Sequence, residues 1–160
     1  MGRHAAGQGG ERRGKLMADD TRLVHVVHND SDVLLSIFDI LSGAGFRVAA
    51  SSSALDGLSY LARSRPSAVL CRWDMPEMEG EEFIERTKKI SPGTQILMCF
   101  RDADARLYRH VLSLGGSDLL REPMSASAVL HAISRMTGLG VPCQPEVGVK
   151  LEWPDGISHA

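Results

Sequence analysis

The sequence predicts one doubly wound α/β domain, in which helices cover both faces of a five-stranded parallel sheet. Three observations predict it. Short apolar, β-branched runs alternate five times with amphipathic helical stretches between residues 22 and 138. Glycines, prolines and polar clusters separate these segments. The composition, 43% hydrophobic and 24% charged residues, is that of a globular protein with a proper core.

Composition also excludes several classes of function. The formal charge of −2 gives no global field for nucleic acid or a membrane surface. No apolar run approaches the roughly 20 residues that span a bilayer, and the first residues lack a signal-peptide core. The three cysteines, Cys71, Cys99 and Cys143, form no Cys-x-x-Cys motif. Reduced thiols and a cytoplasmic location are therefore expected.

Both ends of the chain are expected to be tails around a domain at 22–138. Residues 1–21 hold five glycines and too few basic residues for a nucleic-acid arm, so we expect disorder. Residues 139–160 hold three prolines and are expected to form a C-terminal tail. No DNA-binding region is expected after the domain, so output is expected to pass through another protein or a homodimer.

The first half of the domain is predicted as strand, helix, strand, helix. Leu23–Val27 is β-branched and apolar, and Asn29 or Ser31 in the polar turn after it can cap the first helix. A second strand is expected at Phe46–Ala50, and a serine of Ser51–Ser53 can cap the second helix. The predicted inward stripes of the two helices are Val33, Leu34, Ile37, Phe38 and Leu41, then Leu55, Leu58, Leu61 and Ala62.

The second half repeats the alternation. Ala68–Cys71 is an unbroken apolar run after Pro66, as expected of a strand buried on both faces. Arg72 follows it directly, at the carboxyl edge where α/β sheets place their ligands. Ser125 or Ser127 can cap the last helix, which turns Val129, Leu130, Ile133 and Met136 inward. The other predicted elements are a helix at Gly80–Ile90, a strand at Gln95–Phe100, a helix at Ala103–Leu114 and a strand at Asp118–Arg121.

Several motifs fall in a recognisable order. Met75-Pro76-Glu77-Met78-Glu79-Gly80 follows the third strand, Leu114-Gly115-Gly116-Ser117-Asp118 precedes the fifth, and Glu122-Pro123 follows it. Residues 22–138 thereby resemble the receiver domains of response regulators (CheY-like domains). The resemblance implies a flavodoxin-like fold with strand order 2-1-3-4-5, and a role in two-component phosphorelay signalling.

The resemblance also implies that the phosphorylation site is degenerate. The family's acceptor Asp is Arg72, its acid pair is His28 and Asn29, its Ser or Thr is Phe100, its Lys is Glu122, and its switch aromatic is Leu119. A guanidinium is always protonated and offers no nucleophilic oxygen. Histidine and asparagine provide no charge for magnesium, which prefers carboxylate oxygens. We therefore expect no cofactor and no metal, magnesium included.

Two of these departures look coupled. The family pairs an acid at position 72 with a base at 122, whereas this chain has Arg72 and Glu122. An unpaired arginine in that pit would be costly. We therefore expect an Arg72–Glu122 ion pair.

Alternatives remain for the nearby polar residues. Asp74 is an alternative phosphoacceptor, with Asp30 holding the metal, although both are better interpreted as loop or capping acids. His28 with Asp30 and Asp32 fits no standard metal spacing, and His25 points to the opposite sheet face. Arg72 with His28 is an alternative site for a small anion.

The sequence lacks the Gly-x-Gly-x-x-Gly, Walker and Gly-x-Ser-x-Gly motifs, so we do not expect the protein to be an enzyme. We expect a stand-alone, phosphorylation-independent receiver-like module that acts by protein–protein contact. Its alternatives are an active regulator phosphorylated at Asp74 by a histidine kinase, and an anion or small-ligand sensor at Arg72. The family's partner face consists of the fourth helix, fifth strand and fifth helix. In this chain that face holds Arg106, Tyr108, Arg109, Leu112, Leu119, His131 and Arg135. The alternative is that these are ordinary surface residues with no partner.

Overall fold

The computed structural model describes residues 22–102 and 104–139. The predicted tail at 1–21, the rest of the tail after residue 139, and Cys143 lie outside the described residues.

The described chain forms a five-stranded sheet in which all neighbouring strands are parallel. Its strands are β1 (Leu23–Val27), β2 (Arg47–Ser51), β3 (Ala68–Arg72), β4 (Gln95–Phe100) and β5 (Asp118–Arg121). They lie in the order β2-β1-β3-β4-β5, which confirms the predicted flavodoxin-like topology. β3 includes Arg72, one residue beyond the predicted strand, so this side chain belongs to the sheet itself.

Five helices in the described residues cover the two faces of the sheet. They are α1 (Ser31–Gly43), α2 (Ala54–Ser64), α3 (Gly80–Ile90), α4 (Ala105–Leu114) and α5 (Ala126–Thr137). α1 and α5 pack on one face with buried residues such as Val26, Leu70 and Ile133. α2, α3 and α4 pack on the other, around residues such as Val69 and Phe83. In the described part of the chain, no helix is long and apolar enough to cross a membrane.

Side-chain caps begin four of the helices. The prediction of Asn29 or Ser31 as the cap of α1 is wrong, because Asp30 accepts the amides of Asp32 and Val33 at 3.0 and 3.3 Å. A carboxylate is also the better charge at this positive helix end. Ser53 and Ser125 cap α2 and α5, as the sequence allowed, and Asp104 caps α4. Because Asp104 is the cap, α4 starts two residues after the predicted Ala103.

The inward face of α2 differs from the prediction. Leu55 is 53% exposed and Ala62 is exposed, whereas Ala54, Gly57, Leu58 and Leu61 are buried. Gly57 explains the rotation, since a Cβ there would lie 2.7 Å from Cγ2 of Val27. The helix therefore sets its glycine directly against β1, and Leu55 is carried round to the outside.

The Met-Pro loop contains a short antiparallel ribbon that the sequence did not predict. Asp74–Met75 pairs with Met78–Glu79, and both methionines are buried against the α2–α3–α4 layer. The Glu77 carboxylate at the tip accepts the backbone N–H of Ala54, the first residue of α2. This bond adds a charged acceptor to a helix N-terminus and ties the ribbon to the domain.

Candidate functional site

Four polar side chains meet at the carboxyl edge of the sheet, on the face covered by α1 and α5. Arg72 on β3 lies in register with Cys99 on β4. His28 follows β1 and Glu122 follows β5. Strand alternation gives all four the same face, because their parity matches that of Val26, Leu70, Leu97 and Leu120 in the α1–α5 layer. The predicted convergence of His28, Arg72 and Glu122 at one edge agrees with this arrangement.

The central contact is a hydrogen bond between His28 and Glu122. Nε2 of His28 lies 2.8 Å from Oε2 of Glu122, and the two side chains are 0% and 8% exposed. Nδ1 of the same ring accepts the backbone N–H of Asp30 at 3.0 Å. A nitrogen that accepts carries no proton, so His28 is the neutral Nε2–H tautomer and donates to the carboxylate. Both ring nitrogens are thus used.

Glu122 is held in its ionised form. Burial alone would raise its pKa, but the hydrogen bond that His28 donates, with smaller contributions from the Cys99 thiol and the Arg72 charge, holds the pKa of Glu122 below its usual value. The edge therefore contains a partly buried carboxylate whose main donor is an imidazole.

The predicted Arg72–Glu122 ion pair is wrong. In the described chain Glu122 accepts a hydrogen bond from His28, and Nη1 of Arg72 donates to Oδ1 of Asn29 at 3.2 Å. Arg72 is half-buried and Asn29 is exposed, so the permanent guanidinium charge stays near water. This arrangement avoids the desolvation that a buried Arg–Glu pair would cost. Glu122 still experiences the charge of Arg72 at longer range.

Arg72 also carries an unsatisfied donor. Its Nε is inaccessible to solvent and has no hydrogen-bond partner among the described residues. Buried polar atoms are usually paired, and the exceptions call for an explanation. Among the described residues, the guanidinium of Arg72 forms its hydrogen bond through Nη1, while the buried Nε remains unpaired.

Cys99 is a site residue that the sequence interpretation treated only as a buried thiol. Its Sγ lies beside His28 and Glu122 on the α1–α5 face. Burial raises the pKa of the Cys99 thiol well above its usual value, and the Glu122 carboxylate raises it further. Cys71, on the neighbouring strand, belongs to the opposite layer. The register of Cys99 with Arg72 was the pattern that could have identified it.

The other half of the edge is aromatic. Phe100 is 2% exposed and stacks on Trp73, with ring centroids 5.3 Å apart. The rings of His110 and Trp73 are nearly perpendicular, with centroids 6.3 Å apart. A Cβ at Gly80 would lie 2.1 Å from the Trp73 ring, so glycine is required there by close approach. Where the resemblance implies a polar hydroxyl at position 100, this chain has packed rings.

The remaining predicted residues lie apart from this cluster. Asp74 is exposed in the ribbon, and the Asp30 carboxylate is occupied in capping α1. His25 bonds Ser51 at 2.8 Å and stacks on Tyr60, on the opposite face from His28 as predicted. On the predicted partner face, Leu119 is half-buried, Arg106, Arg109 and His131 are exposed, Tyr108 and Leu112 are 41% and 40% exposed, and Arg135 pairs with Asp118.

These residues do not fit a magnesium ion of the kind that such an edge would hold in receiver domains. The acid pair is replaced by an imidazole engaged at both nitrogens and an amide that binds Arg72. The guanidinium of Arg72 stands where the resemblance implies the acceptor aspartate, which would be the third carboxylate. Magnesium demands oxygen ligands with negative charge, and this donor set supplies one carboxylate beside a fixed cation.

Comparison with known proteins identifies the architecture. Residues 24–134 match the family model of the response regulator receiver domain. The chemotaxis protein CheY of Thermotoga maritima is 24% identical over 115 residues, which cover 71% of this chain and 96% of that protein. A response regulator receiver domain protein of Methanospirillum hungatei JF-1 superposes with a TM-score of 0.69 at 24% identity, over 73% of this chain and 94% of that one. The beryllofluoride-activated NtrC4 receiver domain, solved as a dimer, gives 0.69 at 18% identity, over 73% and 97%.

Proposed function

We propose that this chain, which belongs to the response-regulator receiver domain family, is a receiver of two-component signalling that works without phosphorylation, through protein–protein contact. The observation that carries the proposal is Arg72 at the end of β3, held by Asn29 where the family places its acceptor aspartate. A guanidinium has no nucleophilic oxygen and stays protonated, so it accepts no phosphoryl group.

The rest of the edge supports one conformation. In a phosphorylated receiver, a new phosphoryl group would pull a hydroxyl and an aromatic switch residue into another arrangement. Here Phe100 is stacked under Trp73, and Leu119 packs against the same layer. Packed apolar side chains resist rearrangement, because any second state would open a void. The domain is therefore held in one state that a partner recognises.

The partner face we propose lies on α4, β5 and α5. Tyr108 and Leu112 stand one helical turn apart on α4 and are both about 40% exposed. Arg109 is exposed next to them on the helix surface, and Arg106 is exposed farther round α4. Exposed aromatic and aliphatic groups beside arginines are the composition of interface centres. We propose a second signalling protein, in the cytoplasm, as the occupant, with a homodimer as the alternative.

The test of phosphorylation independence is incubation with acetyl phosphate and Mg²⁺, followed by intact-mass spectrometry. A receiver that keeps the acceptor aspartate is the positive control. We expect no added phosphoryl mass on this chain. A labile adduct that Asp74→Asn abolishes would contradict the proposal and establish phosphorylation at Asp74.

The partner face is tested by substituting Tyr108→Ala and Leu112→Ala together. The matched control replaces Leu35 and Leu55, which are 60% and 53% exposed on other helices, by alanine. A partner captured by the unaltered chain, or a homodimer seen by sedimentation, is expected to be lost only with the α4 pair. Equal loss with the control pair would contradict this face.

A second function is favoured by Arg72, whose half-buried guanidinium reaches the exposed Asn29 with Nη1 while its buried Nε has no hydrogen-bond partner among the described residues. Guanidinium groups bind planar or tetrahedral oxyanions through several N–H donors at once. A small-anion sensor at this edge is expected to gain thermal stability with phosphate or sulfate, and to lose that gain in Arg72→Gln. Arg86→Gln, which alters an exposed arginine paired with Glu82, is the control.

A further inference from the structure

The edge brings together three side chains that all ligate metals. The ligand atoms of His28, Cys99 and Glu122 lie within 4.8 Å of one another. They come from the ends of β1, β4 and β5, so three parts of the sheet hold them in place. The His28 and Cys99 side chains are fully buried, and the Glu122 side chain is 8% exposed.

We propose that His28, Cys99 and Glu122 form a binding site for a borderline transition-metal cation of the Zn²⁺ class. Imidazole nitrogen, thiolate sulfur and carboxylate oxygen are the three ligand types of such cations, at about 2.0–2.3 Å. Hard cations such as Mg²⁺ would leave the sulfur and nitrogen unused. Ligands around a tetrahedral ion lie farther apart than the 2.8 Å His28–Glu122 hydrogen bond, so the ion would replace this bond and separate the two side chains slightly.

An entry path adjoins the cluster. A cleft of about 500 Å³ lies between α1 and the segment after β5, and Glu122 lines it together with Asp32 and Arg101. The fully buried His28 and Cys99 do not line this cleft, but their ligand atoms lie within 4.8 Å of the Glu122 carboxylate. A cation would meet the carboxylate first, and water from the cleft can fill a fourth position, as in zinc sites with three protein ligands.

Binding requires a defined movement of protons. The Glu122 carboxylate is already ionised, and the Cys99 thiol must release its proton to solvent. Nε2 of His28 must become unprotonated, so its proton moves to Nδ1 and the ring stays neutral. One proton is therefore released for each ion bound.

The histidine proton links the site to α1. Nδ1 now accepts the backbone N–H of Asp30, the cap of α1. Once Nδ1 carries a proton, two donors face each other and the Asp30 amide must find another acceptor. Metal binding would therefore change the first turn of α1, although the cation is held by the sheet.

Arg72 limits the affinity without preventing binding. Its charge opposes a second cation, but it also favours the ionised forms of Glu122 and Cys99. Its guanidinium is directed to the exposed Asn29. Uptake of one divalent ion with release of one proton changes the charge of the cluster from −1 to 0, so Arg72 faces a neutral unit and not a net cation.

The test is a titration of the reduced, full-length chain with Co²⁺, which gives thiolate-to-metal absorption only when a cysteine binds it. The chain carries Cys143→Ser throughout, because that thiol lies outside the described residues. We expect one equivalent of Co²⁺ to produce the band, and Zn²⁺ to abolish it. Cys71→Ser is the matched control, since this buried thiol on the neighbouring strand faces the other layer.

The band is expected to survive in Cys71→Ser and to vanish in Cys99→Ser. His28→Gln and Glu122→Gln, which keep Cys99, are expected to weaken Zn²⁺ binding by at least about tenfold. Circular dichroism verifies that each variant is folded, and these two variants decide the matter if Cys99→Ser is unfolded. The ¹⁵N–¹H resonance of Asp30 is expected to shift with Zn²⁺.

No thiolate band in the folded chain, or a band unaffected by the His28 and Glu122 variants, would overturn the site. The site goes beyond the proposed function and does not depend on it. Phosphoryl uptake at Asp74 would refute the signalling proposal and leave the metal result unchanged.

Discussion

The two buried histidines of the β1 region show how one residue type serves two purposes three positions apart. His25 faces α2, stacks on Tyr60 and bonds Ser51, while its Nδ1 has no partner among the described residues. His28 faces the α1–α5 layer and uses both ring nitrogens, one for Glu122 and one for Asp30. Both rings are buried, and they differ in the number of ring nitrogens that are hydrogen-bonded and in the charge of their partners.

The surroundings differ in the same sense. On the His25 side, Gly57 allows α2 to lie directly against Val27. On the His28 side, a cleft of about 500 Å³ reaches Glu122. One face of β1 is therefore packed against α2, whereas the other face carries a polar site next to a cleft.

The largest expected effect comes from replacing His28, on the face of β1 that carries the polar site. His28→Leu leaves the Glu122 carboxylate without its main donor, so the free energy of unfolding should fall by about 2–3 kcal/mol. His25→Leu removes one hydrogen bond and one unpaired nitrogen, and should cost less than about 1 kcal/mol. Urea unfolding of both variants measures the difference. Equal losses would show that the two histidines have equivalent roles.

The next effect is a pH dependence of the free energy of unfolding, which we assign to His25 on the face of β1 that packs against α2. Burial lowers the pKa of His25 from 6.5 to about 4. Below pH 6.5 the unfolded chain binds a proton that the folded chain refuses until about pH 4, so stability falls as the pH drops through this window. Between pH 7 and 5 the loss from this group is about 2 kcal/mol.

Replacing the titrating ring isolates this contribution. His25→Phe keeps a ring against Tyr60 and removes the proton site, so the variant should lose the corresponding part of the acid sensitivity. Urea unfolding at pH 7 and pH 5 provides the comparison. An unchanged loss between the two pH values would contradict the assignment to His25.

The smallest effect concerns the close approach of α2. Gly57→Ala gains about 1 kcal/mol of helix propensity but must displace Val27, which costs about 1–3 kcal/mol, so a net loss of about 1 kcal/mol is expected. Gly43→Ala, at the end of α1, meets nothing within 4 Å and should be neutral or stabilising. Thermal unfolding distinguishes the two. A stabilising Gly57→Ala would show that Val27 yields freely.

The fold could be predicted because alternating periodicities fix elements and their order. The α2 stripe was misplaced because leucines at 55 and 58 look equivalent, and only the contact of Gly57 with Val27 decides between them. The ribbon after β3 was missed because two-residue strands leave no periodicity.

The site could be predicted only in part. Strand ends showed that His28, Arg72 and Glu122 share an edge, but not which side chains would pair. That choice depends on solvation, because Arg72 reaches water through Asn29 while the neutral imidazole tolerates burial beside Glu122. Cys99 was overlooked because a buried thiol in a strand looks like core until its neighbours are known.

The most direct test of this account is the protonation state of the two rings, measured by ¹⁵N NMR of the histidine side chains in the metal-free chain at pH 7. We predict that His28 carries its single proton on Nε2 and that its Nδ1 accepts the Asp30 amide. A His28 ring protonated at Nδ1 would contradict the hydrogen-bonded pair with Glu122 that underlies the whole description of this edge.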